Sequence, residues 1–315
     1  MTGIILGGGA SFFIFKEIPV NLKEIRYLHP DYKYISPLLA IGLPETKIEK
    51  YVDMKNKLSA YIKDQISQQK IEKTSAYFRD INNGNWIGIG EKDTYEPASL
   101  LKVPTMIAYY NLAGSHPKIL SQTIVYQDYS LTGAQHDDLN VSPNLKIGNT
   151  YTVDQLIRAM IVYSDNNAKD LLIENIDPKY LKQVFMDLGI QSPADKEGVY
   201  TIDTQTYSLF FRILYNASYL NDTFSDKALS LLSEAEFKNG LHKGLPDGIQ
   251  LAHKFGETPL FKNNQVSALQ LHDCGIVYIQ NPYFICVMTQ GKNVQDLEST
   301  IQSISKIVYD SASKF

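Results

Sequence analysis

Strand patterns stand at both ends of this 315-residue chain, and helical patterns fill its middle. Near the start, residues 74–79 and 86–89 read as strands joined by Asn82-Asn83-Gly84, a hairpin signal. Before them, residues 46 to about 69 carry Ile48, Tyr51, Met54, Leu58, Tyr61 and Ile62 at helical spacing, with Thr46 placed to cap the helix. Near the end, residues 249–255, 274–280 and 284–289 return to strand patterns, and a last helix spans about 294–311. Residues 97 to about 232 are helices and loops. Strands so far apart can share a core only by pairing across the helical insert. The order therefore predicts an α/β fold of the α+β type, with an antiparallel sheet built from both termini.

Composition narrows the function classes. A hydrophobic share of 44% and a charged share of 20% are ordinary for a globular protein. A net charge of -4 without a basic stripe gives no reason to expect nucleic acid. The six histidines are scattered and there is no C-x-x-C, so neither a metal nor another cofactor is expected. The two cysteines, Cys274 and Cys286, lie in the last strand pair. A tight turn at Asn281-Pro282 would pair Gln280 with Tyr283 and set Cys274 opposite Thr289. Cys286 would then face the other side of the sheet, so no disulfide is expected.

Residues 1–45 form a separate lead-in. Ile4 to Phe15 is apolar, with Gly7, Gly8 and Gly9, but is shorter than the roughly 20 residues that span a bilayer. It has no basic residues of the kind that open a signal peptide. Two readings stand: the tail of an export signal or membrane anchor whose start is lost or misassigned, or a frayed or core-packed terminal segment. No G-K-[ST] follows the glycines, which excludes a phosphate loop. Pro19, Pro30, Pro37 and Pro44 make residues 16–45 irregular.

Three short motifs fall in order: Ser99-Leu100-Leu101-Lys102, Ser164-Asp165-Asn166 and Lys254-Phe255-Gly256. Each is weak alone. S-x-x-K recurs at Ser67, Ser115, Ser303 and Ser311, and K-x-G at Lys146, Lys196 and Lys238. Context separates the three. Ser99 follows Glu96-Pro97-Ala98, a helix start, and precedes the apolar Leu100, Leu101, Val103, Met106 and Ile107. A serine and a lysine three apart share one helical face, and a first-turn serine lies among free backbone N–H groups. Pro104 removes one hydrogen bond, near enough to the helix start to be tolerated. Ser164-Asp165-Asn166 occurs once, between a helix capped at Thr152 and another starting near Asn167. Only Lys254 lies in a strand-like run, where Gly256 lets a ligand approach the backbone.

With these motifs the chain resembles the serine β-lactamases and penicillin-binding proteins, and most closely class A β-lactamases, over about residues 46–315. The resemblance implies a five-stranded antiparallel sheet flanked by helices, beside an all-helical subdomain inserted at about residues 97–232. It implies Ser99 as nucleophile, Lys102 as its base and Ser164 as proton relay to the leaving nitrogen, through a covalent acyl-enzyme. Asn166 would hold the substrate's acyl-side amide, with Asp165 structural. Lys254 would supply positive charge to a substrate carboxylate, beside Gly256. The N–H of Glu257 would join that of Ser99 in stabilising the oxyanion. No cofactor is implied, and the expected partner is a small β-lactam or a D-Ala-D-Ala-like peptide, met outside the cytoplasm by a monomer, membrane-anchored or free.

Two departures from that family bear on turnover. Class A enzymes have an E-x-x-x-N loop whose Glu activates the deacylating water. Here Glu197 is the sole glutamate between Leu188 and Asp203, and it has no Asn partner. Phe255 stands where the family has Thr or Ser, and Glu257 beside it would repel a carboxylate. Three readings follow: a β-lactamase-type hydrolase with slow or altered deacylation, a cell-wall peptidase or acyl-transferase, and a binding module on the same fold.

Overall fold

The structure is a computed structural model that describes residues 23–26, 33–35, 38–42, 49–127 and 145–314. The apolar stretch from Ile4 to Phe15 lies outside the described residues. Within the expected irregular lead-in, β1 (Lys23–Arg26) and β2 (Leu38–Gly42) instead pair antiparallel. Among the described residues no helix is long and apolar enough to cross a membrane.

The five-stranded antiparallel sheet is present, assembled from both ends of the chain. α1 (Glu49–Ser67) leads into β3 (Lys73–Asp80) and β4 (Trp86–Ile89). The two-residue strand β5 (Thr94–Tyr95) then precedes a short 3-10 helix (Ala98–Leu101), which runs into α2 (Lys102–Ser115). After the insert come β9 (Gln250–Lys262), β10 (Gln265–Tyr278), β11 (Tyr283–Gly291) and α8 (Val294–Ala312). The strand order is β4-β3-β11-β10-β9, which leaves β9 at an edge. Period-two alternation splits the side chains between two cores. One face packs Ala76, Phe78, Leu271, Ile285 and Val287 against α1 and α8. The other packs Tyr77, Cys274, Ile276, Phe284 and Met288 against α2 and the insert.

The insert starts with β6 (Thr123–Val125) and β7 (Thr150–Thr152) and continues through α3 (Val153–Val162), α4 (Asn166–Glu174) and α5 (Pro178–Asp187). It closes with β8 (Ile202–Asp203), α6 (Thr204–Tyr215) and α7 (Asp222–Ser233). Thr152 caps α3 in a capping box with Gln155. α2 is buried continuously from Lys102 to Tyr110, as its apolar run requires.

Two features of the C-terminal strands differ from the sequence reading. β9 and β10 form a longer hairpin, turning at Asn263 and Asn264, whose φ values of 52° and 60° suit a tight turn. Pro259 is accommodated because β9 is an edge strand. More consequentially, Cys274 and Cys286 are directly paired and disulfide-bonded. Tyr283, at the start of β11, pairs with Val277 and not with Gln280, so the connection is longer than a two-residue turn. The register therefore moves by three, an odd number, and brings both cysteines to one face. The bond lies in a row with Tyr77 of β3 and Lys254 of β9.

Closing a loop of this size removes about 2–4 kcal/mol of unfolded-state freedom. Denaturant unfolding of the Cys274→Ser/Cys286→Ser protein is expected to show that loss against the oxidised parent. Two free thiols in the unreduced protein, counted by alkylation and mass, would contradict the pairing.

Candidate active site

The segment before Ser99 is held by the sheet. Ala98 has a φ of 48°, a left-handed conformation uncommon outside glycine, at the start of the 3-10 turn. The Glu96 N–H donates to Gln270 Oε1 at 3.0 Å, and the Glu96 carbonyl accepts from His272 Nε2–H at 3.0 Å. Burial lowers the His272 pKa to about 4, so the ring is neutral near pH 7 and serves as a fixed donor. Tyr207 donates its hydroxyl proton to the Leu100 carbonyl at 3.0 Å. Gln270, His272 and Tyr207 carry no motif, and the sequence reading does not find them. Their only sequence signal is a polar residue inside an apolar pattern.

Gly256 of β9 lies against the same turn. A Cβ built there would fall 2.7 Å from the Pro97 carbonyl oxygen and 3.2 Å from Ser99 N, so only glycine fits. Ser99 itself is half-buried, and its hydroxyl makes no hydrogen bond among the described residues.

The remaining motif residues meet at one hydroxyl. Ser164, between α3 and α4, is buried and has a φ of 58°, which turns both its oxygens toward Lys102. Lys102 Nζ lies 3.0 Å from Ser164 Oγ, donates to Asn166 Oδ1 at 2.7 Å, and bonds the Ser164 carbonyl. Lys254 Nζ, on β9, approaches the same Oγ at 2.8 Å. Asp165 accepts from Ala168 N at 2.8 Å and so caps α4. Burial, reinforced by the neighbouring Lys254, holds the Lys102 pKa well below that of a free lysine. Burial also lowers Lys254 to about 7, with Asp273 opposing the shift. Two buried amines therefore flank one hydroxyl, one of them strongly biased to the neutral form.

The rest of Lys254's donor capacity is used locally. It donates to the Phe255 carbonyl at 3.1 Å and sits 4.3 Å from the centre of the Phe255 ring. That ring stacks on Phe237 at 4.1 Å. Glu257 follows Gly256 on β9 and is half-buried. Glu197 is exposed in the loop ahead of β8 and takes no part in the Lys102–Ser164–Lys254 array. Chemically, the arrangement offers a hydroxyl on a strained turn, an amine one turn away that can hold a proton or release it, and a hydroxyl bridge to a second amine.

Solved structures of low identity share this fold. A β-lactamase from Chitinophaga pinensis is 19% identical with a TM-score of 0.70, covering 82% of this chain and 99% of its own. A class A β-lactamase from Mycobacterium abscessus is 21% identical with a TM-score of 0.66, covering 82% and 99%. PBP-A is 20% identical with a TM-score of 0.65, covering 82% and 97%. No curated protein matches the chain. The profile of the β-lactamase enzyme family matches residues 56–312, and the chain therefore belongs to that family of β-lactamase-like serine hydrolases.

Proposed function

We propose that the protein is a class A-like acyl-enzyme hydrolase that opens β-lactam amides through an ester on Ser99. The observation that carries this reading is the Lys102–Ser164–Lys254 array, one helical turn from Ser99 and backed by Gly256. In the neutral state Lys102 donates its two N–H groups to Asn166 Oδ1 and the Ser164 carbonyl, leaving a lone pair as base. Ser99 gives its proton to that lone pair as Oγ bonds the amide carbon. The N–H groups of Ser99 and Glu257 receive the oxyanion. As the C–N bond breaks, Ser164 passes its proton to the leaving nitrogen and is re-protonated from Lys102. The positive charge of Lys254 polarises the Ser164 hydroxyl throughout.

Water must then attack the ester. No glutamate fills the family's deacylating position, and Glu197 is exposed. Losing a positioned base typically costs about 10²–10⁴-fold, so the acyl-enzyme is long-lived, with Lys102 as the available base. The same property would suit a peptidase or acyl-transferase acting on a D-Ala-D-Ala-like peptide, and a PBP-A variant has been solved as an acyl-enzyme with penicillin G. A buried cross-strand disulfide supports an extracytoplasmic site of action.

Intact-protein mass after mixing with β-lactams, as free acids and as esters, is expected to show an adduct that Ser99→Ala abolishes. An adduct persisting in that variant would refute Ser99 as nucleophile. Gly256→Ala is expected to slow acylation about 10²-fold or more with the fold retained by circular dichroism, since the new methyl presses on the Ser99 turn. The acylation rate is expected to fall as pH rises through about 7, where Lys254 loses its charge. Lys254→Arg should move that fall to higher pH, because a guanidinium stays protonated.

A further inference from the structure

Resting on the acyl-transfer reading above, we infer that a polar relay of Glu72, Gln290 and Gln270 positions the Ser99 turn, and that the Glu72 carboxylate sets its direction. The Glu96 N–H donates to Gln270 Oε1 at 3.0 Å, Gln270 Nε2–H donates to Gln290 Oε1 at 3.0 Å, and Gln290 Nε2–H donates to Glu72 Oε2 at 3.1 Å. Gln270 and Gln290 are direct partners on β10 and β11, so the two amides stand side by side on one face of the sheet. Glu72, just before β3, is brought beside them by its own backbone, whose N–H donates to the Gln290 carbonyl at 2.8 Å. A carboxylate only accepts, so Gln290 must turn its NH2 group toward Glu72 and its oxygen toward Gln270. Gln270 must then give its NH2 group to Gln290, which leaves its oxygen for Glu96. An exposed anion thus orients a buried amide through the glutamine between them.

The relay ends on the segment that carries Ser99. Glu96 is gripped on both of its peptide groups, since its carbonyl accepts from His272 Nε2–H at 3.0 Å. Only Pro97 and Ala98 separate it from Ser99. The proline ring fixes φ at -69°, and Ala98 holds a φ of 48° that backbone sterics disfavour. These two stiff residues pass the orientation of Glu96 on to the Ser99 N–H, which the proposed reaction gives to the oxyanion. Reversing the relay would turn the Gln270 NH2 group against the Glu96 N–H, donor facing donor, and leave that N–H without its acceptor. Gln290 and Glu72 act only through Gln270, so all three are positioning residues.

The test reverses the relay at its exposed end. Glu72→Lys replaces an acceptor with a donor. It is expected to slow acylation of Ser99 by saturating benzylpenicillin about tenfold, with the half-saturating concentration unchanged, because the turn loses one hydrogen bond. Amide hydrogen exchange at Glu96, measured without any β-lactam, should quicken in the same variant. Adding Gln290→Glu should restore both readouts, since the carboxylate then at position 290 accepts from the new amine and from Gln270 alike. Lost packing at position 72 would not be repaired this way. In a Gln270→Leu background, Glu72→Lys should have no further effect. Parental acylation and parental Glu96 exchange in Glu72→Lys overturn the inference while leaving the acyl-transfer reading intact, as does a double variant no better than the single one. If the parent forms no Ser99 adduct with benzylpenicillin, the acyl-transfer reading falls. The Glu96 exchange then decides the relay alone, quicker in Glu72→Lys if it stands and unchanged if it does not.

Discussion

Two lysines share one serine hydroxyl inside this protein, and much of the architecture serves to make that arrangement tolerable. An ammonium removed from water loses a large solvation energy unless it is paired or neutralised. Here both responses operate. Lys102 and Lys254 are buried, their pKa values are depressed, and their hydrogen-bonding capacity is matched to Ser164, Asn166 and the Phe255 carbonyl. Ser164 meets both amines from a left-handed backbone conformation between α3 and α4, with Asp165 capping the second helix. The α3–α4 corner, the start of α2 and the edge strand β9 therefore converge on one hydroxyl.

That convergence sets chemistry and stability against each other. Folding favours the neutral form of Lys254, because its pKa falls from 10.5 when free to about 7 when buried. The unfolded chain then binds more protons between those values, so this residue's contribution to stability rises as pH increases across that window. The proposed acyl transfer, by contrast, calls for the ammonium beside Ser164. The proposed reaction would thus run on the side of the titration that burial of Lys254 disfavours. The disulfide-bonded pair Cys274–Cys286 lies in the same cross-strand row as Lys254, and Asp273 on β10 favours its charged form.

The segment around Ser99 is pinned in a comparable way. Gln270 and His272 on β10 hold Glu96, Tyr207 on α6 holds Leu100, and Gly256 on β9 admits the turn at close range. Ser99 is thus positioned by residues from both the sheet and the insert, and its hydroxyl makes no hydrogen bond among the described residues. A cavity beyond Phe255 is lined by the same strand, so one edge of the sheet carries Gly256, the buried Lys254 amine and the Phe255 ring.

Much of this is legible from the sequence because it depends on local periodicity and on residue types at short spacing. The five-stranded sheet split by a helical insert, the capped α3 and the three motifs are all of that kind. The cysteine pairing is not, because register follows the length of the β10–β11 connection, and an error of three residues moves a side chain to the other face. The parts played by His272, Gln270 and Tyr207 are equally hidden, since each acts on a segment over a hundred residues away in the chain. So the sequence by itself determined which groups are present and which elements carry them. Tertiary structure alone decided that Lys102 and Lys254 meet at Ser164, and that Phe255 covers the second amine. Burial and convergence are properties of packed surfaces, and no local pattern encodes them.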